Sequence, residues 1–315
     1  VLEESHLTHF ERTVEKTDVV IDALLGTGLK GAPRPIMAEA IDMIADFEGV
    51  VIAVDIPSGI CGDTGAVHGA AVRADCTVTF AFPKRGHFLF PGAAHAGDLC
   101  VADIGIPQNL APEQGVQTAL LGEDDISELI SERLANTHKG TYGHVAVWAG
   151  QKTSPGAAIL ALMGALRSGA GLVSWIADEA TLKMATDRPP EAMLRVMSPE
   201  LTRESWLADM FDGATAGVVG PGLASCEASE QYLKHLLYET NLPLCLDAEA
   251  LNLLAAHPDW WQGVRSDLVL TPHPKEMARL TRKTVPEVQA DRMGIASDYA
   301  KTHDCVLVLK GASTA

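Results

Sequence analysis

Positive charge is in short supply. The chain sets 24 lysines and arginines against 41 aspartates and glutamates, a formal net charge of -17. Such a surface repels phosphate backbones and anionic lipid, which argues against nucleic-acid or membrane-surface binding. Long hydrophobic runs are missing too. No stretch reaches membrane-spanning length, and no secretory leader is visible. Paired cysteine is the third absence. Cys61, Cys76, Cys100, Cys226, Cys245 and Cys305 are scattered, with no C-x-x-C. Several sit in apolar runs such as residues 243–246, so they read as buried reduced thiols of a cytoplasmic protein. There is no tandem repeat, no low-complexity tract, no Walker A loop and no complete G-x-G-x-x-G fingerprint.

What is present is an alternation of buried strands and helices. At 315 residues, 47% hydrophobic and 21% charged, the chain suits two globular α/β domains. The run VVIDALL at 19–25 reads as a buried strand entering Gly26-Thr27-Gly28. Helical spacing follows over 35–47, with proline at the start. VVIAVDI at 50–56 is a second strand ended by Pro57-Ser58-Gly59. Strand, helix, strand is the unit of a parallel sheet. Further strands are predicted at 76–82 and 98–104. A helix is predicted at 123–134, and the domain junction is placed in the weakly patterned stretch before it, at 115/116. A new series then opens, with strands at 144–149, 172–177, 216–219, 242–246, 268–270 and 305–309. Its predicted helices cover 156–168, 227–239, 248–256, 274–281 and 286–302.

Polar residues gather where strands end. Asp22 precedes the loop Gly26-Thr27-Gly28-Leu29-Lys30-Gly31-Ala32, and Asp55 and Ser58 follow the next strand. In a parallel sheet both ends face one crevice. A glycine loop can turn its amides toward an anion, and Lys30 can add a charge. The same loop is equally a tight turn. Carboxylates at a strand end can hold a cation or move a proton, or they can cap turns.

In the second half, four consecutive strand ends carry Gly220-Pro221-Gly222, Asp247-Ala248-Glu249, Thr271-Pro272-His273 and Lys310-Gly311-Ala312-Ser313-Thr314. This is where an open α/β sheet places its site. His273, between two prolines, reads either as a ligand contact or as a satisfied hydrogen-bonding residue. Gly156 to Gly171, rich in alanine and glycine, reads either as a ligand-approaching helix or as tight packing.

The ordered motifs D-A-L-L-G-T-G-L from Asp22, V-D-I-P-S-G from Val54, and A-D-C-T-V-T-F from Ala74 with Lys84 closely resemble the NAD(P)H-hydrate epimerase domain. From Lys139 onward, Y-G-H, G-A-A, G-P-G-L, D-A-x-A-L-N, H-P-x-E and K-G-A-x-T resemble the ADP/ATP-dependent NAD(P)H-hydrate dehydratases. Together they resemble the bifunctional NAD(P)H-hydrate repair enzymes.

That resemblance implies two three-layer αβα domains, each partial. They are a Rossmann-like one at 1–115 and a ribokinase-like one at 116–315. It implies epimerisation of R and S hydrates, then ADP-dependent dehydration of the S hydrate by phosphorylation and elimination. By resemblance Gly26 to Ala32 cradle the hydrated dinucleotide, Asp22 and Ser58 hold potassium, and Asp55 is the acid/base residue. Ala157, Gly222 and His273 contact the hydrate, and Lys310, Gly311, Ala312, Ser313 and Thr314 bind nucleotide. ADP or ATP, Mg2+ and K+ are the implied cofactors, NADH or NADPH hydrate the substrate, and a homo-oligomer the expected state. The family's N-N-G-G-D loop and its later G-T-G-D segment, which carries the dehydratase base, are not in this sequence. The expectation is a fragment cut at both ends with impaired activity. Glu249 and Lys275 stand where the family has Asp and Gly. The alternatives are a ribokinase-like small-molecule kinase and a non-catalytic scaffold with an epimerase-like domain.

Overall fold

The computed structural model describes residues 4–130, 132–198 and 200–315. It divides into two compact units, Val1–Ile130 and Ser131–Ala315. Residues 116–130, expected with the second domain, therefore group with the first. One tie is visible: the Thr118 hydroxyl accepts from the Arg85 guanidinium at 2.5 Å.

The first unit is built on four parallel strands in the order β1 (Val19–Asp22), β2 (Val50–Val54), β3 (Cys76–Phe80) and β4 (Asp98–Ala102). Val19, Val20 and Ile21 lie against Val50, Val51 and Ile52 in register. Between β1 and β2 runs a helix, Pro35–Ala45, with proline in its first turn, where no amide partner is lost. Its Met37, Ala40, Ile41 and Ile44 recur at helical spacing and are buried. Ile41 and Ile44 are at most 1% exposed, so each contributes about 1.5–3 kcal/mol of burial. They pack with Val14 of a helix at Glu4–Val14 and with Val20, Val51 and Ala53 of the sheet. The opposite sheet face carries Val19, Ile21, Val50 and Phe80, all exposed.

The second unit holds seven parallel strands. They are β5 (His144–Trp148), β6 (Leu172–Asp178), β7 (Met193–Met197), β8 (Ala216–Val219), β9 (Leu244–Leu246), β10 (Leu268–Leu270) and β11 (Val306–Leu307). Their order across the sheet is β11-β10-β9-β8-β5-β6-β7. β5 is buried on both faces, because Ala146 and Trp148 join one core and Val147 and Ala149 the other. Helices therefore cover both sides, giving three layers. Among the described residues no helix is long and apolar enough to cross a membrane.

Several sequence expectations change at element ends. The strand expected at 19–25 stops at Asp22, and that expected at 50–56 stops at Val54. In both, the polar strand end turns into loop instead of continuing the ladder. The helix expected over 123–134 covers Glu123–Leu129. The helix expected over 286–302 is two, Val285–Ala290 and Arg292–His303. Asp291 breaks it, and its side chain caps the second piece by accepting from the Gly294 amide at 3.0 Å. β7 and the helices at Glu4–Val14 and Arg203–Met210 were not anticipated. The β7 residues Met193, Leu194 and Val196 are exposed, so the strand lacks the buried alternation that marks one in sequence.

Candidate functional site

In the first unit the polar ends of β1, β2 and β3 meet. Asp22 closes β1 and Ser58 lies after β2; each is 1% exposed. The Ser58 amide and hydroxyl donate to the Asp22 carboxylate at 2.7 and 2.6 Å. The Leu24 amide donates to it at 3.3 Å, and the Leu25 amide donates to the Ser58 hydroxyl at 2.8 Å. Asp22 and Ser58, paired in the sequence reading, are thus in direct contact. Gly59, with φ of +98°, follows at once; a Cβ there would stand 2.2 Å from the Ala70 carbonyl oxygen, so no other residue fits.

Asp55 sits one step past β2 in the left-handed region, with φ of +68°. For a residue with a Cβ this costs about 1–3 kcal/mol and persists only where neighbours enforce it. The neighbours are present. Thr79 Oγ1 donates to Asp55 Oδ1 at 3.0 Å and the Phe80 amide at 3.1 Å, and the Lys84 ammonium forms an ion pair with the same oxygen. Burial by itself would raise the Asp55 pKa. Lys84, the Phe80 amide and Thr79 outweigh it and hold the carboxyl below its ordinary 3.8. The residue is a carboxylate at neutral pH.

The glycine loop is more open. Gly26, Thr27, Gly28, Lys30 and Ala32 are exposed, and Leu29 and Gly31 half-buried. A Cβ at Gly26 or Gly28 would meet nothing within 4 Å, whereas Gly31 needs its φ of +89°. The Thr27 methyl packs 3.6 Å from the Cβ position of Gly62, which lays this loop beside the turn after Ser58.

In the second unit the topology points to one place. From β5 the chain proceeds through β6 and β7 in one direction, and from β8 through β9, β10 and β11 in the other. The order reverses between β5 and β8, and a doubly wound sheet opens its crevice at that switch, beyond the strand ends. The loops that meet there carry Gly150, Ser154, Ala157 and Gly220 to Gly222. Gly150 donates its amide to the Pro221 carbonyl at 2.8 Å, and Ser154 Oγ donates to the Gly222 carbonyl at 3.1 Å. A Cβ on Gly222, whose φ is +66°, would lie 2.9 Å from the Ala157 Cβ and 2.8 Å from the Ser154 carbonyl oxygen. Ala157 and Gly222 are therefore neighbours.

Further along the same edge, Asp247 follows β9. Its Oδ1 accepts from Thr271 Oγ1 at 2.9 Å and from Lys310 Nζ at 2.5 Å. Ala248 beside it has φ of +50°. Gly220 makes room, since a Cβ there would stand 1.9 Å from the Asp247 carbonyl oxygen. The Lys310 to Thr314 loop is held from its carbonyl side. Arg292 donates to the carbonyls of Leu309, Lys310 and Ser313 at 2.9, 3.2 and 2.8 Å. His273 caps the helix Pro274–Thr281, its Nδ1 accepting from the Lys275 and Glu276 amides. Nδ1 thus serves the helix, which leaves Nε2, 3.3 Å from Glu276, as the ring's second face.

Sequence reasoning missed His87 and Arg292 as parts of these sites, and it placed Thr79, Lys84, Asp247 and Thr271 in motifs without a role. Lys84 and Asp247 carried a signal, each a charge beside a strand end. The contacts of Thr79, His87 and Thr271 carried none, because their partners lie 24 to 32 residues away. Among the described residues no group of three or more His, Cys, Asp or Glu side chains gathers to hold a metal.

The sequence profile of the family described as NAD(P)H-hydrate dehydratase matches residues 145–315, and that of the YjeF-related protein N-terminus matches residues 1–86. The chain is 39% identical over 321 residues to the bifunctional NAD(P)H-hydrate repair enzyme of Moorella thermoacetica, covering 100% of this chain and 60% of that protein. To the enzyme of the same name from Escherichia coli it is 36% identical over 302 residues, covering 95% and 56%. It thus spans less than two thirds of the length of these curated relatives. Among solved structures it resembles the ADP/ATP-dependent NAD(P)H-hydrate dehydratase of Bacillus subtilis co-crystallized with ATP and Mg2+. The identity is 32% and the TM-score 0.51, over 61% of this chain and 66% of that one. A ribokinase-like superfamily protein of Enterococcus faecalis gives a TM-score of 0.51 at 25% identity, over 61% and 65%. With its matched region spanning most of the second unit and the switch-point glycines in place, the chain belongs to the NAD(P)H-hydrate dehydratase family.

Proposed function

We propose that the chain acts in the repair of hydrated NAD(P)H. The first unit interconverts the R and S hydrates, and the second dehydrates the S hydrate with ADP or ATP. The observation that supports the reading best is the switch point between β5 and β8, where Gly222 and Ala157 have no side chain beyond a methyl to block a ligand ring. His273 and the Lys310 to Thr314 loop stand on the same edge, after β10 and β11. In this reading Ala157, Gly222 and His273 line the hydrate, and Lys310, Gly311, Ala312, Ser313 and Thr314 receive the nucleotide. A bound nucleotide, with Mg2+, supplies the phosphoryl group that turns the hydrate hydroxyl into a leaving group. Asp247 keeps the Lys310 ammonium at the strand edge, and Arg292 shapes the loop that follows.

In the first unit, Gly26 to Ala32 cradle the dinucleotide phosphate with backbone amides and Lys30, and Asp55 moves the proton at the epimerising carbon. Asp22 and Ser58 fit a potassium ion by chemistry. A carboxylate 1% exposed receives only amide and hydroxyl donors and no cationic side chain among the described residues. A monovalent cation with hard oxygen ligands answers that uncompensated charge.

The test is to incubate the chain with mixed NADH hydrate epimers, with and without ADP and potassium, and to follow the epimers by chromatography. ADP binding is titrated in parallel by calorimetry. The expected results are ADP binding and, at an impaired rate, potassium-dependent interconversion and ADP-dependent loss of the S hydrate. The absence of both interconversion and nucleotide binding would overturn the reading.

A further inference from the structure

The groups around Asp55 form a closed ring. Lys84 donates its backbone amide to His87 Nδ1 at 3.1 Å. His87 Nε2 lies 3.0 Å from the Asp55 carbonyl oxygen. The Lys84 ammonium returns to Asp55 Oδ1. The tautomer follows from the partners. Nδ1 faces a donor and must accept, so Nε2 carries the hydrogen and donates to the carbonyl. The ring is neutral, and His87 is only 5% exposed. Both of its nitrogens are used, so it has nothing left to offer a substrate.

Lys84 is equally committed. An ammonium has three donors. Here they meet Asp55 Oδ1, Thr79 Oγ1 at 2.8 Å and the Phe80 carbonyl at 3.1 Å. Thr79 passes its own hydrogen to Asp55 Oδ1. The bonds that reach the Asp55 carboxylate from Lys84, Thr79 and Phe80 therefore all converge on Oδ1, and none of them on Oδ2. The carbonyl of Asp55 is pinned from the other side by His87. This places restraints on both ends of a residue whose φ of +68° would otherwise relax.

We propose that His87 and Lys84 are positioning residues that clamp Asp55 through its carbonyl and Oδ1, leaving Oδ2 as the oxygen that meets the substrate. The proposal rests on the reading that this unit acts on the hydrate, and it assigns that reaction to one atom. Neither His87 nor Lys84 touches the reacting carbon; both act through Asp55.

Nuclear magnetic resonance tests it without requiring turnover. In the unaltered chain, nitrogen-15 shifts of the His87 ring at pH 7 are expected to report a neutral ring with hydrogen on Nε2. A charged ring, or hydrogen on Nδ1, overturns the clamp. With carbon-13 in the aspartate carboxyls, the Asp55 titration is then compared among the unaltered chain, Lys84→Met and His87→Gln. Both substitutions are expected to raise its midpoint, by about one pH unit for Lys84→Met, a tenfold gain in proton affinity. The double variant should add little, because one device is being broken twice. An Asp55 midpoint unmoved in both variants overturns the proposal. Epimerisation provides the functional arm. kcat is expected to fall in both variants with KM retained, and the acid limb of the pH profile to move with Asp55. A clamp confirmed by resonance in a chain that never interconverts the hydrates leaves the positioning intact and sinks the functional reading instead.

Discussion

Asp55→Asn preserves the shape of the side chain and removes its charge. If Asp55 moves a proton, epimerisation is expected to fall by about 10²- to 10⁴-fold, the usual worth of a positioned acid/base group. ADP binding by the second unit should not change, so calorimetry of the same variant separates lost chemistry from lost folding. Gly222→Ala tests the second site. The new methyl would meet Ala157 and the Ser154 carbonyl from a backbone at φ +66°. It is expected to cost about 1–3 kcal/mol by left-handed strain and to weaken hydrate binding. Denaturant midpoint and KM report the two effects. Both residues show how far a sequence speaks. Asp22, Ser58, Asp55 and Gly222 were legible because each stands at a strand end in a motif. His87 and Arg292 were not, nor were the contacts of Thr79 and Thr271, because each is defined by a partner that only folding brings near.

Helices and strands decide whether those residues hold still. The loop at Lys310 to Thr314, proposed to receive the nucleotide, has its carbonyl side tied to Arg292, on a helix that sequence periodicity had merged with its predecessor. Arg292→Met keeps the length of the side chain and removes those donors. ADP affinity is expected to fall several-fold with little change in the far-ultraviolet spectrum; an unchanged Kd would show that the loop shapes itself. Two buried histidines make a second case. Burial pushes His87 below its ordinary 6.5, with Lys84 adding to it. Burial likewise lowers His144, whose Nε2 lies 2.7 Å from Ser174 Oγ, with Arg195 adding. Unfolded, each ring takes a proton near 6.5; folded, it takes one only at lower pH. The unfolded chain then holds more protons, so stability rises with pH in this window and is lost as pH falls through 6.5. Thermal midpoints measured at pH 7, 6 and 5 should decline before any carboxylate titrates. Asp55 and Asp178, held below 3.8, contribute in the other window. Their share is present above about pH 4 and lost below it. A flat profile between pH 7 and 5 would contradict the burial of the two rings.

Over the whole molecule, two parallel sheets use the same device. In each, a carboxylate at a strand end pairs with a lysine from a later loop: Asp55 with Lys84, and Asp247 with Lys310. In each, positive φ falls at or beside the carboxylate, at Asp55 and Ala248. The sheets differ in cover. In the first unit Ile21 is 68% exposed and Val19 46%, on a face where contiguous apolar surface promotes association. Ile21→Lys is expected to reduce self-association of the chain in sedimentation without lowering its thermal midpoint. Greater association in that variant would show that the face is not the adhesive one.

The sequence alone determined the class of fold, because buried β-branched runs alternating with helical spacing leave few options besides a parallel sheet. It determined the order of the site motifs, because glycine, proline and carboxylate at strand ends are local requirements. It did not determine β7, whose side chains are exposed, nor the break at Asp291, where a cap overrides continuous periodicity. The reversal of strand order between β5 and β8 belongs to the tertiary structure, since strand adjacency is not written in any local pattern. So do the Asp55 clamp and the Arg292 tie. Hydrogen bonds between residues far apart in the chain exist only once packing has placed both partners, and their worth depends on the burial that packing creates.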